Sequence, residues 1–140
     1  MGNFDFFMTF TLHPQLAQDS LFIADLPLSQ LRLLNDSRYL WCLLVPRRAN
    51  VREIYELTEA DQQQLLKESS QLGQRLMQLG KGDKLNVAAL GNVVPQLHVH
   101  HVVRKVGDEA WPAPVWGKGT LQPYSPAEAA RWLAVLANPS

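Results

Sequence analysis

Apolar residues follow two rhythms along this chain, one helical and one extended. Leu65, Leu66, Leu72, Leu76 and Leu79 recur at helical spacing and predict a long amphipathic helix with an apolar core face. Thr58, with Asp61 three residues on, marks its start, and Gly80 and Gly82 supply its stop. Upstream, residues 6–12 form an apolar opening segment and 14–19 predict a short helix. Residues 20–24 and 30–35 read as short strands around a turn at Pro27. Asn35, Asp36 and Ser37 form a turn cluster, and 39–45 is a continuous apolar strand ended by Pro46. Downstream, 84–90 and 97–104 predict two further strands on either side of a break at Gly91-Asn92. Two prolines make 111–117 irregular. Ser125 and Pro126 open a last helix whose apolar face is Trp132, Leu133 and Leu136. Strands, then a helix, then strands again predict an α+β fold with an antiparallel sheet, organised as one domain over 1–140.

Composition narrows the classes of function. Lys+Arg and Asp+Glu each number 13 in 140 residues, so the formal net charge is zero. A broad nucleic-acid surface would carry a basic excess, and none is expected here; a small anion site is compatible with the balance. Cys42 is the single cysteine and lies in an apolar run, which excludes an internal disulfide and predicts a buried thiol in a reducing compartment. The opening residues, with Asp5 and no basic stretch, do not read as a signal peptide, and Phe6 breaks the myristoylation pattern. No apolar stretch approaches the roughly 20 residues needed to span a bilayer. The expectation is a soluble cytoplasmic protein.

The chemistry concentrates at one place. Three of the four histidines fall within four residues, in the run Gln96-Leu97-His98-Val99-His100-His101-Val102. On a strand, alternation puts Gln96, His98, His100 and Val102 on one face and Leu97, Val99, His101 and Val103 on the other. Buried imidazoles need partners, so one reading is a hydrogen-bonded structural row. A second is metal binding, which needs a further ligand where Arg104 and Lys105 stand instead. A third is nucleophilic attack on phosphorus by a neutral imidazole, with nearby donors stabilising the non-bridging oxygens.

These residues resemble the histidine triad (HIT) superfamily, whose motif alternates three histidines with apolar residues after a Gly and a polar residue. Here Gly91-Asn92-Val93-Val94-Pro95 leads into Gln96-Leu97-His98-Val99-His100. Leu31–Asn35, Trp41–Arg48 and Leu85–Val87 resemble the preceding family strands, so the likeness covers about residues 20–105. The resemblance implies a five-stranded antiparallel sheet with a central helix and a C-terminal helix, and a homodimer. It implies that His98 is the nucleophile and His100 a phosphate-contacting histidine. It places Asn35 at the ribose, Asn92 at the phosphate and Asn86 close to the site. Gln96 replaces the first histidine and, by the same resemblance, is expected among the substrate-binding residues. Its main-chain carbonyl can still orient His98, but its side chain carries no titratable proton. His101 faces away from His98 and reads as packing. The implied activity is hydrolysis or transfer at a nucleotide α-phosphate, of dinucleoside polyphosphate or nucleoside phosphoramidate type, through a nucleotidyl-histidine intermediate. The alternative is a nucleotide-binding regulatory module with little turnover. No cofactor or metal is expected.

Overall fold

The computed structural model describes residues 9–138, so the first part of the apolar opening segment lies outside the described residues. Helix α1 (Pro14–Asp19) leads into β1 (Ser20–Asp25), β2 (Ser29–Leu34) and β3 (Trp41–Pro46). A 3₁₀ turn (Ile54–Glu56) precedes the long helix α2 (Glu59–Gly80), then β4 (Lys84–Ala88), β5 (Val99–Arg104) and α3 (Pro126–Ala137). The strands form one antiparallel sheet in the order β1-β2-β3-β5-β4. The expected α+β architecture with five antiparallel strands is what the chain adopts.

Both faces of the sheet are covered, which is why β3 reads as an unbroken apolar run. Alternation sorts its side chains. Cys42 and Leu44 join Leu31, Leu33, Val99 and Val103 in a cluster under α2, with Leu65, Leu72 and Leu76. Trp41, Leu43 and Val45 join Leu34 and Val102 in a second cluster beneath α1 and the 110–116 segment. Cys42 is fully buried, and burial pushes its thiol up to about 12, so it stays protonated and behaves as a small apolar residue.

Helix α2 starts as expected: the Thr58 hydroxyl accepts from Asp61 N at 3.1 Å. Its end differs. Gly80 is still helical, and the left-handed cap is Lys81 at φ 49°. Gly82 is needed for space instead, because a Cβ there would lie 2.4 Å from Val103 Cγ1. Leu66 and Leu79 also leave the expected core face and are exposed. Leu66 follows Leu65 by one residue, a rotation of about 100°, so the two cannot share a face. Strand β5 is shorter than 97–104; Leu97 instead donates its N–H to Val51 O at 2.9 Å.

Glu68 ties α2 to the β1–β2 turn. Its buried carboxylate accepts from Leu28 N (2.8 Å) and Ser29 N (3.1 Å). At the far end of β5, Arg104 donates twice to Asp108 and once to Asn86, each at 2.9 Å. Asp108 also accepts from Lys105 N, Ala110 N and Trp111 N. The Arg104 guanidinium holds the Asp108 carboxyl down to about 2. This knot turns the chain back, so that Val115 and Trp116 cross the face that carries His98 and His100.

Candidate active site

The site is built on the start of β5 and the residues that lead into it. Strand register puts His100 opposite Leu43, and Leu43 opposite Arg32, so the three share one row and one face. His98 precedes His100 by two residues and shares that face; their rings lie 5.0 Å apart. Both imidazoles are buried. His101 takes the opposite face, as alternation requires, and meets Ser69 of α2.

The hydrogen bonds decide the tautomers. His98 Nδ1 lies 2.7 Å from the main-chain oxygen of Gln96. A carbonyl only accepts, so Nδ1 carries a proton, and in neutral His98 Nε2 is left with its lone pair. His100 is the reverse. Its Nδ1 accepts from Trp41 Nε1–H at 2.9 Å, and an indole only donates. In neutral His100 the proton therefore sits on Nε2. Burial, with His98 and His101 nearby, lowers His100 to about 3 and keeps it neutral. One face thus offers a nucleophilic nitrogen and, on the adjacent ring, an N–H donor.

Trp116 completes the surround. Its ring sits 5.3 Å from His100 and 5.9 Å from Trp41, edge-on to both. The Pro-rich 111–117 segment is therefore part of the site's wall. A small cleft beside His98 is bordered by Arg52, Gly91, Pro95 and Gln96. Arg52 follows Val51, whose carbonyl accepts from Leu97 N at 2.9 Å. Gly91, at φ 74°, makes the turn that brings residues 92–95 back to β5.

Other residues expected at the site are placed variously. Asn92 is exposed on the loop that enters β5. Asn35 lies toward the far end of the sheet, and its Oδ1 accepts from Tyr124 N at 2.9 Å. Asn86 shares the histidine face, opposite Val102, but its Oδ1 accepts from Arg104. The Gln96 side chain turns to the N-terminal segment. The side-chain oxygens of Asn35 and Asn86 are thus engaged within the fold. The sequence gives no sign of Trp41 or Arg52 at the site, and it reads 111–117 more readily as a plain loop than as a segment near the site or the dimer seam.

Burial of His100 and His101 has a consequence for stability. His101 is lowered to about 4 by burial, although its Nδ1–H bond to Val99 O favours the charged form. In the unfolded chain both imidazoles take up a proton near pH 6.5. Below that pH the unfolded state holds more protons than the folded one, so stability is full above about pH 6.5 and falls as pH drops. The slope approaches about 1.4 kcal/mol per pH unit for each imidazole. Thermal midpoints should fall steadily from pH 7 to 5.5, above the range where carboxylates titrate; a flat profile would contradict the burial.

Comparison with known proteins agrees with this architecture. A family model described as HIT domain matches residues 15–107. A histidine triad protein from Marinobacter aquaeolei VT8 is 50% identical, with a TM-score of 0.91 over 92% of this chain and 94% of that one. A histidine triad protein from Bradyrhizobium japonicum is 45% identical, with a TM-score of 0.90 over 92% and 96%. A histidine triad protein from Sinorhizobium meliloti 1021 is 44% identical, with a TM-score of 0.88 over 90% and 93%. No curated protein matches the chain.

Proposed function

The chain belongs to the HIT family, whose members are generally nucleotide-binding hydrolases or transferases, and from that premise we propose that it cleaves nucleotides at the α-phosphate through a covalent nucleotidyl-His98 intermediate. The observation that carries this reading is the opposed tautomer pair, a bare Nε2 on His98 beside a protonated Nε2 on His100.

His98 Nε2 attacks the α-phosphorus, the N–P bond forms, and the bond to the leaving group breaks with its electron pair. The modified imidazole carries positive charge, which the Nδ1–H···O bond to Gln96 stabilises. His100 Nε2–H donates to a non-bridging oxygen, as do Asn92 and main-chain N–H groups of the 91–95 loop. Water then attacks phosphorus and gives up a proton to solvent, the N–P electron pair returns to Nε2, and the departed leaving group takes up a proton from solvent. Substrates of dinucleoside polyphosphate or nucleoside phosphoramidate type both fit this sequence. The test is hydrolysis of an adenosine phosphoramidate and a diadenosine polyphosphate, with and without chelator, alongside mass spectrometry for a nucleotidyl adduct on His98. Chelator-resistant turnover with an adduct supports the reading. Tight nucleotide binding without turnover favours the regulatory-module alternative.

The second part of the reading is a homodimer through β4. This strand is a sheet edge, and Val87 on it and Leu66 on α2 are 50% and 67% exposed. With Ile54, Leu65 and Val99 they line an apolar groove of about 540 Å³. An apolar edge strand beside an apolar groove is the surface a second copy would cover. Sedimentation should find a dimer, and Leu66→Glu a monomer. A wild type that stays monomeric at high concentration would remove the dimer without touching the chemistry.

A further inference from the structure

Position 96 serves His98 through its main-chain oxygen alone. Its carboxamide works elsewhere. Oε1 accepts from His13 N at 2.9 Å, and Nε2 donates to Thr11 O at 2.8 Å. A carboxamide is the neutral side chain that can accept and donate through adjacent atoms, and it here engages the main chain of residues 11 and 13 at once.

The segment it holds is fixed at its other end as well. His13 Nδ1 accepts from Gln15 N and so begins α1. At the end of α1, Ser20 Oγ donates to Leu16 O, and Arg32 Nε donates to Ser20 Oγ. Arg32 stands in the row of His100. Residues 11–20 are thus fastened to the histidine face at both ends. Between the fasteners, Leu12 and Leu16 pack with Leu43, Val45 and Trp116 in the cluster beside His100.

We propose that Gln96 is a positioning residue whose carboxamide clasps residues 11–13 across the histidine face, making this strap a fixed wall of the nucleotide site. The inference rests on the nucleotide reading of that site. It separates two roles at one position: the carbonyl orients the nucleophile, and the side chain sets nucleotide affinity. Without the clasp, each binding event has to order the strap, so affinity falls while the bound substrate still meets an intact His98.

Two readouts test it. The first is amide hydrogen exchange at His13, which needs no activity. In Gln96→Ala it should accelerate roughly two- to tenfold, the factor that the loss of one such bond corresponds to. The second is steady-state kinetics on an adenosine phosphoramidate. Gln96→Ala should raise KM roughly three- to tenfold and leave kcat within about twofold. A mutant cycle assigns the effect to the strap. His13→Pro removes the amide donor at a φ of −58° that proline accepts, and His13→Ala controls for the lost imidazole. His13→Pro should exceed His13→Ala in KM in the wild type and match it in the Gln96→Ala background. Unchanged exchange at His13, or a fall in kcat at constant KM, would overturn the clasp. Failure of the wild type to bind nucleotide would overturn the functional reading instead, and exchange at His13 would still decide whether the clasp exists.

Discussion

His98→Ala should abolish turnover of an adenosine phosphoramidate and of a diadenosine polyphosphate, with kcat falling roughly 10⁴- to 10⁶-fold, the range expected when a covalent nucleophile is removed. The expectation follows from where the lone pair is. Among the histidines on this face, His98 alone has an Nε2 left bare by its tautomer; that of His100 bears a proton. Neither Gln96 nor Asn92 can replace it, since a carboxamide nitrogen is a poor nucleophile. Ground-state nucleotide affinity should change much less than kcat, because His98 makes its decisive bond only during attack. The nucleotidyl adduct expected by mass spectrometry in the wild type should be missing from the variant. A variant that turns over as fast as the wild type would sink His98 as nucleophile and move the weight to a binding module.

Glu68→Ala should be the most damaging change outside the site, costing about 2–4 kcal/mol. The carboxylate holds two main-chain N–H groups of the β1–β2 turn, at Leu28 and Ser29, and both residues are buried. Truncation leaves the two donors facing no acceptor, and each orphan costs about 1–3 kcal/mol. Leu28 is in the main cluster under α2, so the turn cannot simply swing into water to recover them. Glu68→Gln keeps one acceptor and should fall between. In a chain of this size the alanine variant should melt about 5–15 °C lower. Urea titration with an unchanged m-value and a lower midpoint would confirm a loss of stability in a native fold. A midpoint within about 1 °C of the wild type would show that the turn finds other partners.

Much of the architecture was legible from periodicity. The alternation through 96–103 assigns His98 and His100 to one face and His101 to the other; the register of β5 with β3 places His100 and His101 so, and the ring of His98 lies 5.0 Å from that of His100. The helix start at Thr58 was readable because a cap is a local hydrogen bond. Contacts that join distant segments through polar atoms were not. Gln96 meets residues 83 and 85 positions away, and Trp41 meets His100 at 59. No spacing rule encodes those pairs. The asparagines show the same limit from the other side. The family resemblance implies Asn35 and Asn86 for substrate, and it does not disclose that the fold gives their side-chain oxygens to Tyr124 N and Arg104. Leu66 was a misreading of another kind, since a count of leucines does not reveal which one the helix turns outward.

The bond from His98 Nδ1 to a main-chain oxygen bears on how such a site can vary. Every residue type presents the same carbonyl, so the orientation of the nucleophile does not depend on which amino acid occupies position 96. His101 repeats the device with the carbonyl of Val99, also two residues before it. A strand that aims its imidazoles with its own backbone separates the geometry of catalysis from the identity of the neighbouring residue. Substitution at that neighbour can then be accepted one step at a time, without an inactive intermediate sequence in which the attacking nitrogen points the wrong way. A histidine-to-glutamine exchange at the first motif position is a change this backbone can absorb.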